Sequence, residues 1–169
     1  MDSTGGSPGP VPPRVGESAR RTRTVRASDI ELFARLTGDR NPLHTDPDLA
    51  HASRFGGIVV QGGVTTGLLN AVVAQDLPGP GSVFLHTDWH YRAPVRPGDT
   101  ITAEVVVTAA RADKPVTELR TTVTDAAGTI VVEGTAVVWR DPVVAAATAA
   151  TRATARRSAR ASAPAVPPD

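Results

Sequence analysis

The sequence predicts an α+β domain in which one antiparallel sheet wraps around a single buried helix. Three observations carry this. Val64 to Gln75 is the longest uncharged helical segment and is apolar or small nearly all round, as a helix enclosed by protein must be. Four runs rich in Val, Thr and aromatic residues follow it: Ser82 to Tyr91, Thr100 to Arg111, Val116 to Thr124 and Ile130 to Trp139. Turn signals separate the runs, at Pro94 to Asp99, at Asp113-Lys114-Pro115 and at Asp125 to Gly128. One buried helix followed by a meander of long strands corresponds to the hot-dog fold. A single sheet around one helix leaves a sheet edge and a helix flank uncovered, so a homodimer or a double hot-dog is expected.

The elements before the central helix follow in order. A first strand is expected near Thr22 to Arg26. Ser28 reads as an N-cap, with Glu31 completing a capping box. Ile30, Phe33, Ala34 and Thr37 lie at helical spacing, and Gly38 is placed to end that short amphipathic helix. A bend over Asp39 to His44 follows, its Asn41-Pro42 step opposing helical continuation. Asp46 before Pro47 reads as a second N-cap, opening a short helix through Ala52 that Arg54-Phe55-Gly56-Gly57 breaks. Gly62 and Gly63 enter the central helix, and Leu77-Pro78-Gly79-Pro80-Gly81 stops it. Gly67 and Ala71, four apart, would let another backbone approach one face.

The chain divides into a Gly/Pro/Ser-rich tail over 1–17, a hot-dog domain over 18–141 and a flexible Ala/Arg/Pro-rich tail over 142–169. With 169 residues, one domain with a useful core is expected. A net charge of +1 points to no bulk polyanion partner. The sequence has no cysteine, so disulfides and thiolate zinc sites are excluded. Arg152, Arg156, Arg157 and Arg160 suggest a nucleic-acid arm, but no aromatic residue interleaves them to stack on bases. A solvated, partly helical tail is the reading, with no nucleic acid as partner. No apolar run at the start resembles a signal peptide and none is long enough to span a bilayer, so a soluble cytoplasmic protein with no membrane partner is expected.

The richest stretch for chemistry is Gly38-Asp39-Arg40-Asn41-Pro42-Leu43-His44. A carboxylate can accept a proton from water, and an imidazole can hold and release one near neutral pH, so Asp39 and His44 are candidate acid–base groups. Asn41 suits shaping the turn with its side chain. Gly62 and Gly63 would expose backbone N–H groups at a helix start, where an oxyanion is stabilised, and lacking side chains they allow close approach. His86, Asp88 and His90 share one face of a strand, opposite Leu85, Trp89 and Tyr91 on the presumed core side. Three residues of one strand close a tetrahedral shell poorly, so no metal site is expected. His51 reads as a surface residue and Lys114 as turn decoration. Arg92 and Arg96 are candidates for phosphate contacts.

These motifs place the chain in a known setting. Leu36 to Asp46, the Arg54-Phe55-Gly56 step, the glycine at helix entry, Leu77 to Ser82 and Pro94 to Thr100 recur in the order found in the MaoC-like hydratases. The chain most closely resembles the (R)-specific enoyl-CoA hydratases among them. The resemblance implies that Asp39 and His44 activate a water for addition at C3 of a trans-2-enoyl thioester and then deliver a proton to C2. The product implied is the (R)-3-hydroxyacyl thioester, and the reverse reaction is dehydration. It implies acyl-CoA or acyl-carrier-protein substrates and no cofactor beyond the thioester itself. Many relatives have His where this chain has Gln61, and some have Ser where it has Gly67. Gln61 still donates and accepts hydrogen bonds. Gln61, Asn41 and Gly67 are counted with Gly62 and Gly63 as substrate-binding candidates, Gly67 as a place for a wider acyl pocket.

Other functions compete. A dehydratase of carrier-bound intermediates in polyketide or fatty-acid assembly performs the same chemistry. A hot-dog thioesterase commonly has an acidic residue on or near the central helix, and Gly62 to Gln75 has none. A non-catalytic subunit that binds acyl thioesters would tolerate Gln61 and Gly67.

Overall fold

The computed structural model describes residues 12–161. Its elements are β1 (Ser18–Thr24), α1 (Ala27–Thr37), α2 (Pro42–Thr45), α3 (Pro47–Ala52), α4 (Gly62–Gln75), β2 (Ser82–Tyr91), β3 (Thr100–Ala110), β4 (Val116–Asp125), β5 (Ile130–Arg140) and α5 (Pro142–Ala161). The strands form one sheet in the order β1-β3-β4-β5-β2, every neighbouring pair antiparallel. Helix α4 packs on one face of it. This is the hot-dog arrangement, and the four later strands lie where their residue types place them.

Side-chain alternation decides which face is covered. Along β3, Ile101, Ala103, Val105 and Val107 are buried while Thr100, Thr102, Glu104 and Val106 face outward. The buried set packs with Leu119 and Val123 of β4, Val132, Ala136 and Val138 of β5, and Leu69, Val72 and Val73 of α4. Burying each Leu or Val stabilises the fold by about 1.5–3 kcal/mol before chain entropy is subtracted. On the outer face, threonine hydroxyls pair between β1 and β3, Thr22 with Thr102 and Thr24 with Thr100, each at 2.8 Å.

Several elements depart from expectation. Strand β1 starts at Ser18, earlier than Thr22, and its Arg-rich residues are exposed, because as an edge strand it takes its pairing from β3 rather than from burial. Helix α1 starts one turn position before Ser28. Its N-cap is Arg26, whose N–H donates to the Asp29 carboxylate at 2.8 Å, and Asp29 is also paired with Arg23. The carboxylate that returns to the N-cap N–H is thus that of Asp29, not Glu31, and Ser28 is not the cap. Leu85 is exposed, not on the core side, since the β2–β5 register shifts between Phe84 and His86. This bulge puts Phe84 and Trp89 inward, edge to face with centroids 5.8 Å apart. Among the described residues, and apart from its own helix, no atom lies within 4 Å of a methyl group built on Gly67, so no other element's backbone approaches there.

The described parts of both ends are structured, the C-terminal one as the helix its Ala/Arg composition favours. Gly16 and Glu17 already bond to Val107 of β3. Residues 142–161 form helix α5, with Pro142 at its first position and the Asp141 carboxylate accepting from the Val144 N–H at 2.9 Å. Ala145 is buried and Arg152 reaches the Gln75 carbonyl at 3.4 Å, so α5 lies against the C-terminal end of α4. Residues 1–11 and 162–169, the rest of the expected tails, lie outside the described residues. Among the described residues no helix is long and apolar enough to cross a membrane.

A bidentate pair ties the sheet edge to the same helix end, Arg21 to Asp76 at 2.5 and 3.0 Å. That hydrogen bonding holds the Asp76 carboxyl below the usual carboxylate range, with burial opposing it. A depressed folded-state value stabilises the fold above the ordinary range, about 4, and the benefit is lost as pH falls through the depressed value. Arg21→Gln is therefore expected to lower the urea midpoint at pH 7, and the difference from the parent shrinks on acidification. A difference independent of pH would contradict this.

Candidate active site

The bend that carries Asp39 and His44 is built by short-range hydrogen bonds. Gly38 has φ 82° and its N–H returns to the Ala34 carbonyl, which ends α1 in the left-handed conformation open to glycine. The Thr37 hydroxyl donates to the Phe33 carbonyl at 2.8 Å and accepts from the Asp39 N–H at 3.2 Å. Asp39 Oδ1 accepts from the Asn41 N–H at 3.2 Å, and Asn41 Oδ1 from the Leu43 N–H at 3.0 Å. The segment is not wholly non-helical. Asn41 caps a single turn, α2, with Pro42 at its first position, and His44 sits on it. Asn41 thus serves the turn, and its side-chain oxygen is already engaged.

His44 is held from the other side. Its Nδ1 lies 2.7 Å from the Val59 carbonyl oxygen. A carbonyl only accepts, so Nδ1 carries the proton, and in the neutral ring Nε2 is left with its lone pair. Nε2 lies 3.7 Å from Asp39 Oδ2. That is beyond direct hydrogen-bond length, a separation that one small polar molecule can bridge. The His44 side chain is 13% exposed and that of Asp39 39%, so the pair sits in a recess with an open carboxylate side.

The glycines of the α4 entrance lie under aromatic rings. A methyl group on Gly62 would stand 2.7 Å from Tyr91 Cε1, and one on Gly63 would collide with the Phe33 ring. Among the described residues the Gly62 and Gly63 N–H groups have no acceptor, as the first donors of a helix do not. Gly62 opens into a cavity of about 320 Å³ with Val60, Thr65, Tyr91, Val95 and Val132 on its walls and Arg54 and Arg92 at its rim. His44 lines a second cavity of about 480 Å³, with Ile30, Ala34, Arg40 and Ile58. The segment 58–60 contributes to both. It is fixed by the His44–Val59 contact and by the Val60 N–H to Val95 carbonyl bond, 2.8 Å.

The remaining candidates are placed elsewhere. Gln61 is 1% exposed and donates through Nε2 to the Ile30 carbonyl at 3.3 Å; it links α1 to α4 and lines neither cavity. Its Oε1 is buried without a partner among the described residues. Gly67 lines a groove between α1 and α4 with Leu32, Phe33, Leu36 and Leu68, separate from the Gly62 cavity, so it does not widen that space. Arg96 binds the carbonyls of Phe55 and Ile58, and Arg92 pairs with Glu133 at 2.8 Å, so neither guanidinium is free. His86, Asp88 and His90 are exposed on the outer side of β2, with His90 and Asp88 3.6 Å apart, and His51 is exposed on α3. The sequence reading missed the Val59 carbonyl, which no side-chain pattern marks, and Tyr91 over Gly62, for which the strand alternation gave only a face.

The chain is similar to several known proteins. The family model described as "MaoC like domain" matches residues 12–129. The chain is 42% identical over 125 residues to an (R)-specific enoyl-CoA hydratase of Rhodospirillum rubrum, covering 74% of this chain and 86% of that one. It is 40% identical to an (R)-specific enoyl-CoA hydratase of Aeromonas caviae, covering 73% and 92%. The solved structure of the (R)-hydratase from A. caviae superposes with a TM-score of 0.72, covering 76% of this chain and 97% of that one. An R-hydratase from Pseudomonas aeruginosa gives 0.70 at 33% identity, covering 75% and 81%.

Proposed function

The chain belongs to the MaoC-like domain family, and from that premise we propose that it hydrates trans-2-enoyl-CoA to (R)-3-hydroxyacyl-CoA, or dehydrates it in reverse. The observation that carries this is the pair His44 Nε2 and Asp39 Oδ2, 3.7 Å apart, with the opposite ring nitrogen committed to Val59. A water held between them donates one hydrogen bond to each. Attack of its oxygen on C3 forms the C–O bond, one proton passes to the pair, and the C2–C3 π electrons move toward the thioester carbonyl. The enolate oxygen is stabilised by the Gly62 and Gly63 N–H groups at the positive end of α4. A proton from the pair then reaches C2. Water is added whole and nothing is oxidised, so the reaction requires no redox cofactor, and activity is expected to survive dialysis against EDTA.

Incubation with crotonyl-CoA and longer enoyl-CoAs tests the reading. Loss of the enoyl absorbance with formation of the (R)-3-hydroxy product is expected. No loss with any enoyl thioester, coenzyme- or carrier-bound, overturns it. Matched CoA and carrier-protein substrates distinguish the two acyl donors, whose reacting thioester is the same. The homodimer remains the expected assembly: β1 and β2 are sheet edges, and Val83 and Leu85 of β2 are 52% and 59% exposed. Sedimentation should give twice the chain mass of 17.5 kDa.

A further inference from the structure

The cavity beside Gly62 has an apolar interior and a rim whose charge is of one sign. Arg54 and Arg92 are the charged residues of its lining, and no carboxylate joins them. Arg92 is paired through Nε with Glu133. Arg54 has no carboxylate partner and no hydrogen bond among the described residues; its guanidinium lies over the Phe55 ring, 5.2 Å from the centroid. An exposed guanidinium stacked on an aromatic face keeps its in-plane N–H donors free for an anion.

The platform beneath it is fixed. Arg96 binds the Phe55 and Ile58 carbonyls, the Phe55 N–H donates to Ser53 Oγ at 3.2 Å, Ser53 Oγ donates to the Ala50 carbonyl at 2.6 Å, and the Gly57 N–H returns to Ala50 at 3.0 Å. A methyl on Gly57 would stand 3.1 Å from Arg96 Nη1, and the φ of 156° disfavours a side chain there as well. The cost of ordering Phe55 is met by the fold before any ligand arrives, which favours binding. Of the two basic residues that line this cavity, Arg54 is the one with no acceptor among the described residues.

A cavity that has Gly62 and the cationic Arg54 in its lining, and that shares the segment 58–60 with the His44 cavity, suits the carbonyl and anionic arm of a thioester whose acyl carbons lie toward His44. We infer that Arg54, stacked on Phe55, binds the phosphate of the 4′-phosphopantetheine arm of the thioester substrate. That phosphate is common to coenzyme A and to carrier proteins, and the inference rests on the hydratase reading above.

The test uses three crotonyl thioesters with the full chain and its Arg54→Leu and Arg54→Lys variants. Crotonyl-pantetheine has no phosphate, crotonyl-4′-phosphopantetheine adds one, and crotonyl-CoA adds the nucleotide. In Arg54→Leu, KM is expected to rise roughly tenfold for the second and third substrates with kcat unchanged, and to stay at the parent value for the first. Arg54→Lys should recover part of the loss. A change equal on all three thioesters, no change on any, or a change confined to crotonyl-CoA overturns the assignment. A parent inert on all three is a different result, which removes the hydratase reading and this inference with it.

Discussion

Asp39→Asn is expected to lower turnover of crotonyl-CoA by roughly 10²–10⁴-fold while leaving the fold intact. The two effects separate for a structural reason. Asp39 Oδ1 accepts the Asn41 N–H that shapes the bend, and an amide oxygen can take that role. What an amide cannot do is accept a proton through Oδ2, which faces His44 Nε2 at 3.7 Å. His44→Ala should be comparably inactive, and less stable, since it also deprives the part-buried Val59 carbonyl of its donor. The double variant is expected to be little worse than either single one, because two groups acting on one water fail together. Steady-state rates with matched thermal melts check this. Asp39→Asn within tenfold of the parent would place the chemistry elsewhere.

Much of the fold was readable because burial and backbone preference agree in it. The four strands after α4 fall within a residue of where their Val, Thr and aromatic content and the turn signals between them place them, and Asp46-Pro47 caps α3 as its residue types require, with Oδ1 accepting from the Asp48 and Leu49 N–H groups at 3.0 Å. Elements that take their place from a partner were less legible. β1 is exposed and arginine-rich, so nothing in its own pattern fixes its start. The bulge at Leu85 reverses which residues face inward, and a period-two reading carries no mark of one extra residue. Helix α5 is alanine-rich, so its helicity was legible, but its placement depends on Ala145, Asp141 and Arg152.

The site divides in the same way. The bend that brings Asp39 and His44 together was legible because local hydrogen bonds shape it, whereas the Val59 carbonyl that fixes His44 lies fifteen residues away and was not. Gln61 and Gly67 were not legible either, since their roles depend on what lies across the chain. Gln61 is taken by the Ile30 carbonyl, thirty-one residues away, and Gly67 faces the α1 groove. Arginine roles depend on neighbours in the same sense: Arg96 is absorbed by two carbonyls and Arg92 by a carboxylate, which leaves Arg54.

Gly134→Ala is expected to destabilise the protein by roughly 3 kcal/mol and to lower its melting temperature by roughly 10 °C. Gly134 is the centre of one row of the sheet, paired with Trp89 of edge strand β2 and with Thr121 of β4. The Trp89 indole N–H donates to Thr121 Oγ1 at 3.0 Å, two strands away, across the position where Gly134 has no side chain. A methyl there collides with the Asp88 carbonyl oxygen and stands 2.9 Å from its carbon and 3.1 Å from Trp89 Cα. These are backbone atoms, which cannot rotate aside, so relief requires β2 to part from β5. Tyr91, against Gly62, belongs to that strand, so activity should fall at temperatures where the fold still holds. Gly67→Ala supplies the contrast: its methyl meets nothing within 4 Å and its helix interior gains about 0.5–1 kcal/mol. A Gly134→Ala protein melting with the parent would mean that the β2–β5 ladder yields freely. A Gly67→Ala protein melting below the parent would mean that a second chain's backbone packs on that face of α4.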